Sequence, residues 1–202
     1  YFHSLKQMVK IEKKLFFLLA LLMAIIVTLS NYLVQFPVNF FGLENLLTYG
    51  AFSYPVAFLI TDLSNRRFGK NIAKKVVYLG FFFGVFLTLY FSTNYSDLIS
   101  IRIAVGSGTA FLIAQLVDVN IFDKLRKRVW FMAPLTSSLF GSVIDTFLFF
   151  SISFYGTGID WFSLSLGDLA VKIFVALLML VPFRLLIYRI EEISAINKKI
   201  NV

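Results

Sequence analysis

The sequence predicts an all-α membrane protein with six spanning helices, and three observations carry that expectation. Hydrophobic residues make up 59% of the 202 and charged residues only 15%, against about 45–50% and about 25% in an average soluble domain. Mean hydropathy is +0.83. The apolar residues form long unbroken runs, with the charges gathered between them, rather than the alternating pattern of an outer-membrane barrel strand. So few charges cannot cover a water-facing surface. A soluble domain, a disordered chain and a collagen-like chain are all excluded.

A helix crosses the hydrocarbon core with about 20 apolar residues. Runs at 15–36, 46–63, 76–93, 98–117, 131–155 and 168–190 meet that length. They define a six-helix domain over 15–190, a cytoplasmic segment at 1–14 and a cytoplasmic tail at 191–202. The first run lacks a small-residue cleavage site, so it reads as a spanning helix and not a signal peptide. The second is the least apolar and holds Gly50, Tyr54 and Pro55. The third contains Gly80-Phe-Phe-Phe-Gly84, which together with Ala20-Leu-Leu-Met-Ala24 of the first signals close helix packing and allows a homodimer. An odd number of helices per half makes a 3+3 repeat inverted, and Asn31-Tyr-Leu-Val-Gln35 echoes Ala114-Gln-Leu-Val-Asp118 at the opposite depth.

Orientation follows from the basic residues. All but two of the 19 Lys and Arg lie in the N-terminal segment, the loop after the second run, the loop after the fourth, or the C-terminal end. The alternate loops, around Glu44, Asp97 and Asp160, carry none, so both termini are expected in the cytoplasm. The net charge of +8 is thereby a topological signal, not a nucleic-acid footprint. With no cysteine and with His3 as the single histidine, thiolate chemistry, metal ligation and histidine catalysis have no residues to rest on. No metal or other cofactor is expected.

The two basic exceptions, Arg102 and Lys172, fall inside or beside predicted spans, as do Asp62, Asp118, Asp145 and Asp168. A charge at mid-bilayer costs about 2.5–3.5 kcal/mol on insertion scales, so such residues pair, face a wet cavity or bind something. Asp62 and Asp118 lie near the cytoplasmic ends of their helices, where interfacial anchoring competes with a binding role. Asp168 and Lys172 stand four apart and form an ion pair. Asp145 lies deep in its run among Ser137, Ser138, Gly141, Ser142 and Thr146, which favours a cavity. Asn31 and Gln35 share a helix face, and Gln115 lies on the fourth helix. Carboxylates and amides beside aromatic rings suit a flat, nitrogen-rich heterocycle: an aspartate accepts two parallel N–H bonds from its edge, and rings stack on its face. The same inventory serves an ion path.

Ser30-Asn-Tyr-Leu-Val-Gln-Phe-Pro-Val38, Gly50-Ala-Phe-Ser-Tyr-Pro55 and Phe58-Leu-Ile-Thr-Asp-Leu63 resemble the queuosine precursor transporter family. Arg102-Ile-Ala104, Gln115-Leu-Val-Asp118, Asn120-Ile-Phe-Asp-Lys-Leu-Arg126, Ala133-Pro134, Leu139-Phe-Gly141, Asp145-Thr146, Asp168 and Lys172 continue the resemblance. It implies a vitamin-uptake-type, six-helix bacterial inner-membrane protein that takes up the 7-deazaguanine bases preQ0 and preQ1 for tRNA modification. Ser142 stands where some relatives carry Asn, which bears on which precursor is preferred.

On this reading, the ring edge is read by Asp145 with Ser138 and Ser142, or by Asp118 with Gln115. Asn31 and Gln35 hold another edge, and Tyr32, Phe52 or Tyr54 stack on the face. Arg102 neutralises a carboxylate, Asp168 and Lys172 gate or lock, and Asp62 is a further structural or gating charge. The partners are the small-molecule substrate and the surrounding lipid, with no nucleic acid. The alternative is a substrate-binding subunit of an energy-coupling-factor system, docking an ATPase on Ala20 and Ala24. The chain has no Gly-rich phosphate loop, and the reading without an ATPase module is preferred. No nucleophile–base pair or metal spacing supports an enzyme.

Overall fold

The structure is a computed structural model describing residues 2–40, 42, 47–91 and 94–200, with side chains described between 12 and 189. Glu44, the start of the 46–63 run, Thr93 and the last two residues lie outside the described residues, as do the side chains of His3, Lys6, Lys10, Lys198 and Lys199. Six helices follow in order: α1 Phe2–Leu33, α2 Gly50–Phe68, α3 Lys70–Phe91, α4 Leu98–Leu125, α5 Met132–Phe154 and α6 Trp161–Ile200. The segment predicted at 1–14 is thus largely a continuation of α1, and α6 runs through most of the predicted tail. Between α1 and α2 a single antiparallel bridge pairs Pro37 with Thr48.

Helix boundaries have local causes. The Asp97 side chain accepts from the Ile99 and Ser100 N–H groups, both at 3.1 Å, and so caps α4. Asp160 does the same for α6, taking the Ser163 N–H at 3.3 Å and its hydroxyl at 2.6 Å. These bonds hold the Asp160 carboxyl below the usual carboxylate range. Between α2 and α3 the chain reverses at one residue, Gly69, whose φ of 84° lies in the left-handed region that glycine tolerates. Its N–H closes on the Asn65 carbonyl at 2.9 Å.

Five helices are long and apolar enough to cross a membrane: α1, α3, α4, α5 and α6. The exception is α2, where six apolar runs were expected. Among the described residues α2 packs against all five others, which follow one another around it in the order α1, α3, α4, α5, α6. A helix at the axis of a bundle meets mostly protein and little lipid. It can therefore carry polar side chains that satisfy one another, while the outer five must present hydrocarbon. Accordingly α2 buries Ser53, Thr61, Asp62, Ser64 and Asn65, whereas α3 exposes Phe82, Phe83, Phe86 and Phe91.

The glycines of α3 face inward along this chain. A Cβ on Gly80 would overlap the Met23 side chain, and one on Gly84 would overlap Val27. Ala20 and Ala24 are buried in the same seam. The small-residue pattern is therefore used to seat α1 on α3, and is not free as a dimer contact. Of the alanines offered as an ATPase docking face, Ala24 lies against Gly80 and Gly84 of α3, and Ala20 is buried.

Candidate functional site

Buried polar side chains fall into two clusters along the α2 axis. The first joins five helices. From α6, Asp168 and Lys172 project from one face, one turn apart. Lys172 Nζ donates to Asp168 Oδ2 at 2.6 Å, to Asp145 Oδ2 at 2.9 Å and to Thr146 Oγ1 at 3.1 Å. An ammonium has three donors, so it is saturated. The Thr146 hydroxyl in turn donates to Asp168 Oδ2 at 2.9 Å. The same Nζ sits 4.9 Å from the centre of the Tyr54 ring, a cation–π distance. Tyr54 then donates to Asn31 Oδ1 at 2.6 Å, and Asn31 donates to Thr88 on α3 at 2.9 Å. Asp145, Asp168, Lys172 and Asn31 are each only 2% exposed. Chemically this is a lock: each of these donors has an acceptor, and breaking either Lys172–aspartate link strands a buried charge.

The second cluster has a different character. Ser137 and Ser138 of α5 donate to the two oxygens of Asp62 at 3.2 and 3.3 Å. Thr61 hydrogen-bonds Gln115 Oε1, and Asn65 Nδ2 donates to the Val119 carbonyl at 2.9 Å. Asp118 lies beside Asp62, is fully buried, and receives a hydrogen bond on neither oxygen. Ser142 Oγ and Asn65 Oδ1 are buried and unpartnered as well. A narrow cleft of about 10 Å³, lined by Pro55, Leu59, Asp62, Ser138, Met179 and Phe183 among others, reaches this cluster between α2, α5 and α6.

A single aromatic ring separates the two clusters. Tyr54, Phe58 and Asp62 recur every four residues and so share one face of α2. Tyr54 belongs to the first cluster, Asp62 to the second, and Phe58 lies between. Opposite Phe58, α5 has Gly141, where a Cβ would come within 2.5 Å of Phe58 Cε1. The ring fills the space that any larger residue would need. From Ser138 to Asp145 the rise along α5 is about 10 Å at 1.5 Å per residue.

An all-helical bundle with this split polar core can be compared with known proteins. Residues 48–187 match the family described as "Putative vitamin uptake transporter". The chain belongs to that family. It is 32% identical to the "Queuosine precursor transporter" of Escherichia coli (strain K12), over 91% of this chain and 93% of that protein. It is 33% identical to the "Probable queuosine precursor transporter" of Haemophilus influenzae, over 78% of this chain and 79% of that one. The Bacillus subtilis protein of the same printed name is 28% identical over 75% of each. No solved structure matches the chain. With family membership and five apolar spans, the protein is a multi-pass membrane transporter.

Of the residues expected at the site of this family member, Asn31, Tyr54, Asp145, Asp168 and Lys172 meet in the first cluster. Asp62, Gln115, Asp118 and Ser138 meet in the second, and Ser142 lies between Ser138 and Asp145 on α5. Three expected residues are not brought in. Tyr32 and Phe52 are 49% and 46% exposed and turn away from the polar axis. Gln35 is exposed too, with its amide donating back to the Asn31 carbonyl at 3.3 Å.

The role expected for Arg102 is also corrected. It bonds no carboxylate; its guanidinium caps the end of α5 through the Ile152 carbonyl at 2.8 and 3.0 Å and the Tyr155 carbonyl at 2.8 Å. A helix C-terminus offers carbonyls and partial negative charge, which satisfies an arginine there. The Asp168–Lys172 pair forms as expected, but Asp145 joins it instead of facing a cavity. Thr61, Asn65 and Thr88 were not singled out from the sequence. The first two could have been: 54, 58, 61, 62 and 65 fall on one helical face. Thr88 carries no such signal.

Proposed function

We propose that the protein imports queuosine precursors, the 7-deazaguanine bases preQ0 and preQ1, across a bacterial inner membrane. The observation that carries this reading is 32% identity with the Escherichia coli queuosine precursor transporter over nearly the whole of both chains. In this reading α2 is a sixth crossing, wrapped by the other five, and both termini are cytoplasmic because the basic residues gather at one end. The Asp118 cluster then lies toward the cytoplasm and the Lys172 cluster toward the outside. The weak echo of Asn31–Gln35 in Ala114–Asp118 is kept as an inverted repeat.

The ligand edge is assigned to Asp118, with Gln115 and Ser142 beside it. Asp118 has two unpartnered carboxylate oxygens, and the guanidine-like edge of a deazaguanine has two parallel N–H groups, a bidentate match. Asp145 is a poorer reader, because Lys172 already occupies it. The cleft beside Asp62 has room for about one water molecule, so a planar base enters only when the helices part. Phe58 must then leave Gly141, which connects the two clusters and makes the ring the barrier between the two sides. Pro55, which removes a backbone hydrogen bond one turn before Phe58, lowers the resistance of α2 to that motion.

Cells unable to make the precursors test this directly. Expression of the chain is expected to restore queuosine in tRNA from low external preQ0 or preQ1; no restoration, with the protein inserted, overturns the reading. Because the chain has no cysteine, single cysteines at Ser96 and Lys127 report topology. They should react with an impermeant thiol reagent from opposite sides of the membrane.

A further inference from the structure

We infer that Asp62 and Asp118 together form a binding site for one proton, and that the transported ligand displaces it. The two carboxyls lie at one level between α2 and α4, bracketed by the Thr61–Gln115 and Asn65–Val119 hydrogen bonds, and are 2% and 0% exposed. Neither Asp118 oxygen receives a donor from the chain. Two facing carboxylate oxygens share a hydrogen bond only if one of them carries a proton, and like charges in a dry interior oppose a second ionisation.

Nothing packed around the pair supplies a compensating cation among the described residues. From α5 come the hydroxyls Ser137 and Ser138. From α6 come Ala176, Met179, Leu180 and Phe183. At the level of the pair, α1 and α3 present apolar side chains to α2 and α4, Met23, Ala73, Val76 and Val77 packing with Ile60 and Val119. The nearest cations along these helices are committed elsewhere. Arg66 donates to the Arg126 carbonyl, and Arg126 to the Arg66 carbonyl and toward Asp123. Lys172 is saturated by Asp145, Asp168 and Thr146.

The asymmetry between the two carboxyls says what replaces the proton. Asp62 has two hydroxyl donors of its own; Asp118 has none. A ligand offering two parallel N–H groups gives Asp118 what Ser137 and Ser138 give Asp62. On binding, the shared O–H···O bond is lost, two N–H···O bonds form on Asp118, and the proton leaves to water through the cleft beside Asp62 and Ser138. Proton and ligand thus compete for the same oxygens. Only the identity of that ligand rests on the function proposed above.

Two measurements on the purified full chain test the site. Infrared spectroscopy of the ligand-free protein at neutral pH reads the proton itself and involves no ligand. A protonated-carboxyl C=O band that shifts in D2O is expected, lost in Asp62→Asn and in Asp118→Asn, and retained in Asp97→Asn. Absence of the band in the parent protein, or its survival in both substitutions of the pair, overturns the site whether or not the chain binds preQ0. In weakly buffered solution, preQ0 binding is expected to release about one proton per ligand, with affinity falling about tenfold per pH unit below the midpoint. Binding without proton release, or affinity independent of pH, overturns the displacement. A band with no preQ0 binding upholds the proton site and faults the proposed ligand.

Discussion

The two polar clusters on the α2 axis use similar side chains to opposite ends. Around Lys172, two aspartates, a threonine and an ammonium close on one another at 2.6–3.1 Å. Around Asp118, two aspartates meet hydroxyls and an amide but no cation, and buried oxygens remain bare. The difference is one residue: α6 supplies a lysine at the first level and only Met179, Leu180 and Phe183 beside the cleft at the second. A buried charge with a partner on every side holds helices together, whereas a buried carboxyl with spare valence is a site waiting for donors. A fully paired cluster and one with bare oxygens are thus separated by about two helical turns of the same bundle, with Phe58 between them.

Substitution of the lock should produce the largest effect. Lys172→Met leaves Asp145 and Asp168 buried without compensation, which costs about 3–5 kcal/mol for a broken buried pair. Thermal unfolding in detergent should show a large drop in Tm, partly recovered when Asp145→Asn is added. An unchanged Tm would mean that the first cluster is not structural.

Next in size is the barrier. Gly141→Ala puts a methyl group into the Phe58 ring, an overpacking cost of about 1–3 kcal/mol, and Phe58→Leu in the same chain should return most of the lost Tm. Without rescue, the close approach of Phe58 is not what Gly141 is for.

The second cluster should respond with the opposite sign to the first. Asp118→Asn leaves the buried pair satisfied, because its amide donates to Asp62 in place of the shared proton and no bare buried group is created. Tm is expected to hold or rise while preQ0 uptake falls at least tenfold. A loss of Tm like that of Lys172→Met would erase the distinction between the clusters.

The smallest effect lies outside both. Asp160→Ala removes the α6 cap and should lower Tm slightly, leaving uptake intact. In the parent, the Ser163 bonds hold the Asp160 carboxyl below its usual range. Its contribution is therefore complete above the ordinary carboxylate value and is lost as pH falls through the lower, folded-state value. Below that, parent and Asp160→Ala should unfold alike.

Much of this was legible in the chain before folding. Length and continuous apolarity placed the five helices that can span, though not α2 as one of them, and the four-residue spacing of Asp168 and Lys172 announced their pair. That Tyr32, Gln35 and Phe52 are exposed was not legible, because residue type shows that a side chain can stack or hydrogen-bond, but not which way its helix is turned. Arg102 was misjudged for a related reason. Its partners are backbone carbonyls, which every sequence has and none displays. Asp145 and Asp118 look alike as acids in the sequence, and that the first meets a lysine while the second does not waited on which side chain α6 brought opposite each.

The amino-acid order alone settled the solvent of this protein, the number of its helices and which of its charges had to be answered inside the bilayer, because transfer into hydrocarbon is a property of each segment by itself. Tertiary structure decided the rest: that the least apolar helix is the axis, that Lys172 answers Asp145, and that no cation among the described residues answers Asp118. Those outcomes depend on the rotation and neighbours of packed helices, and one face can be matched only when another is brought against it.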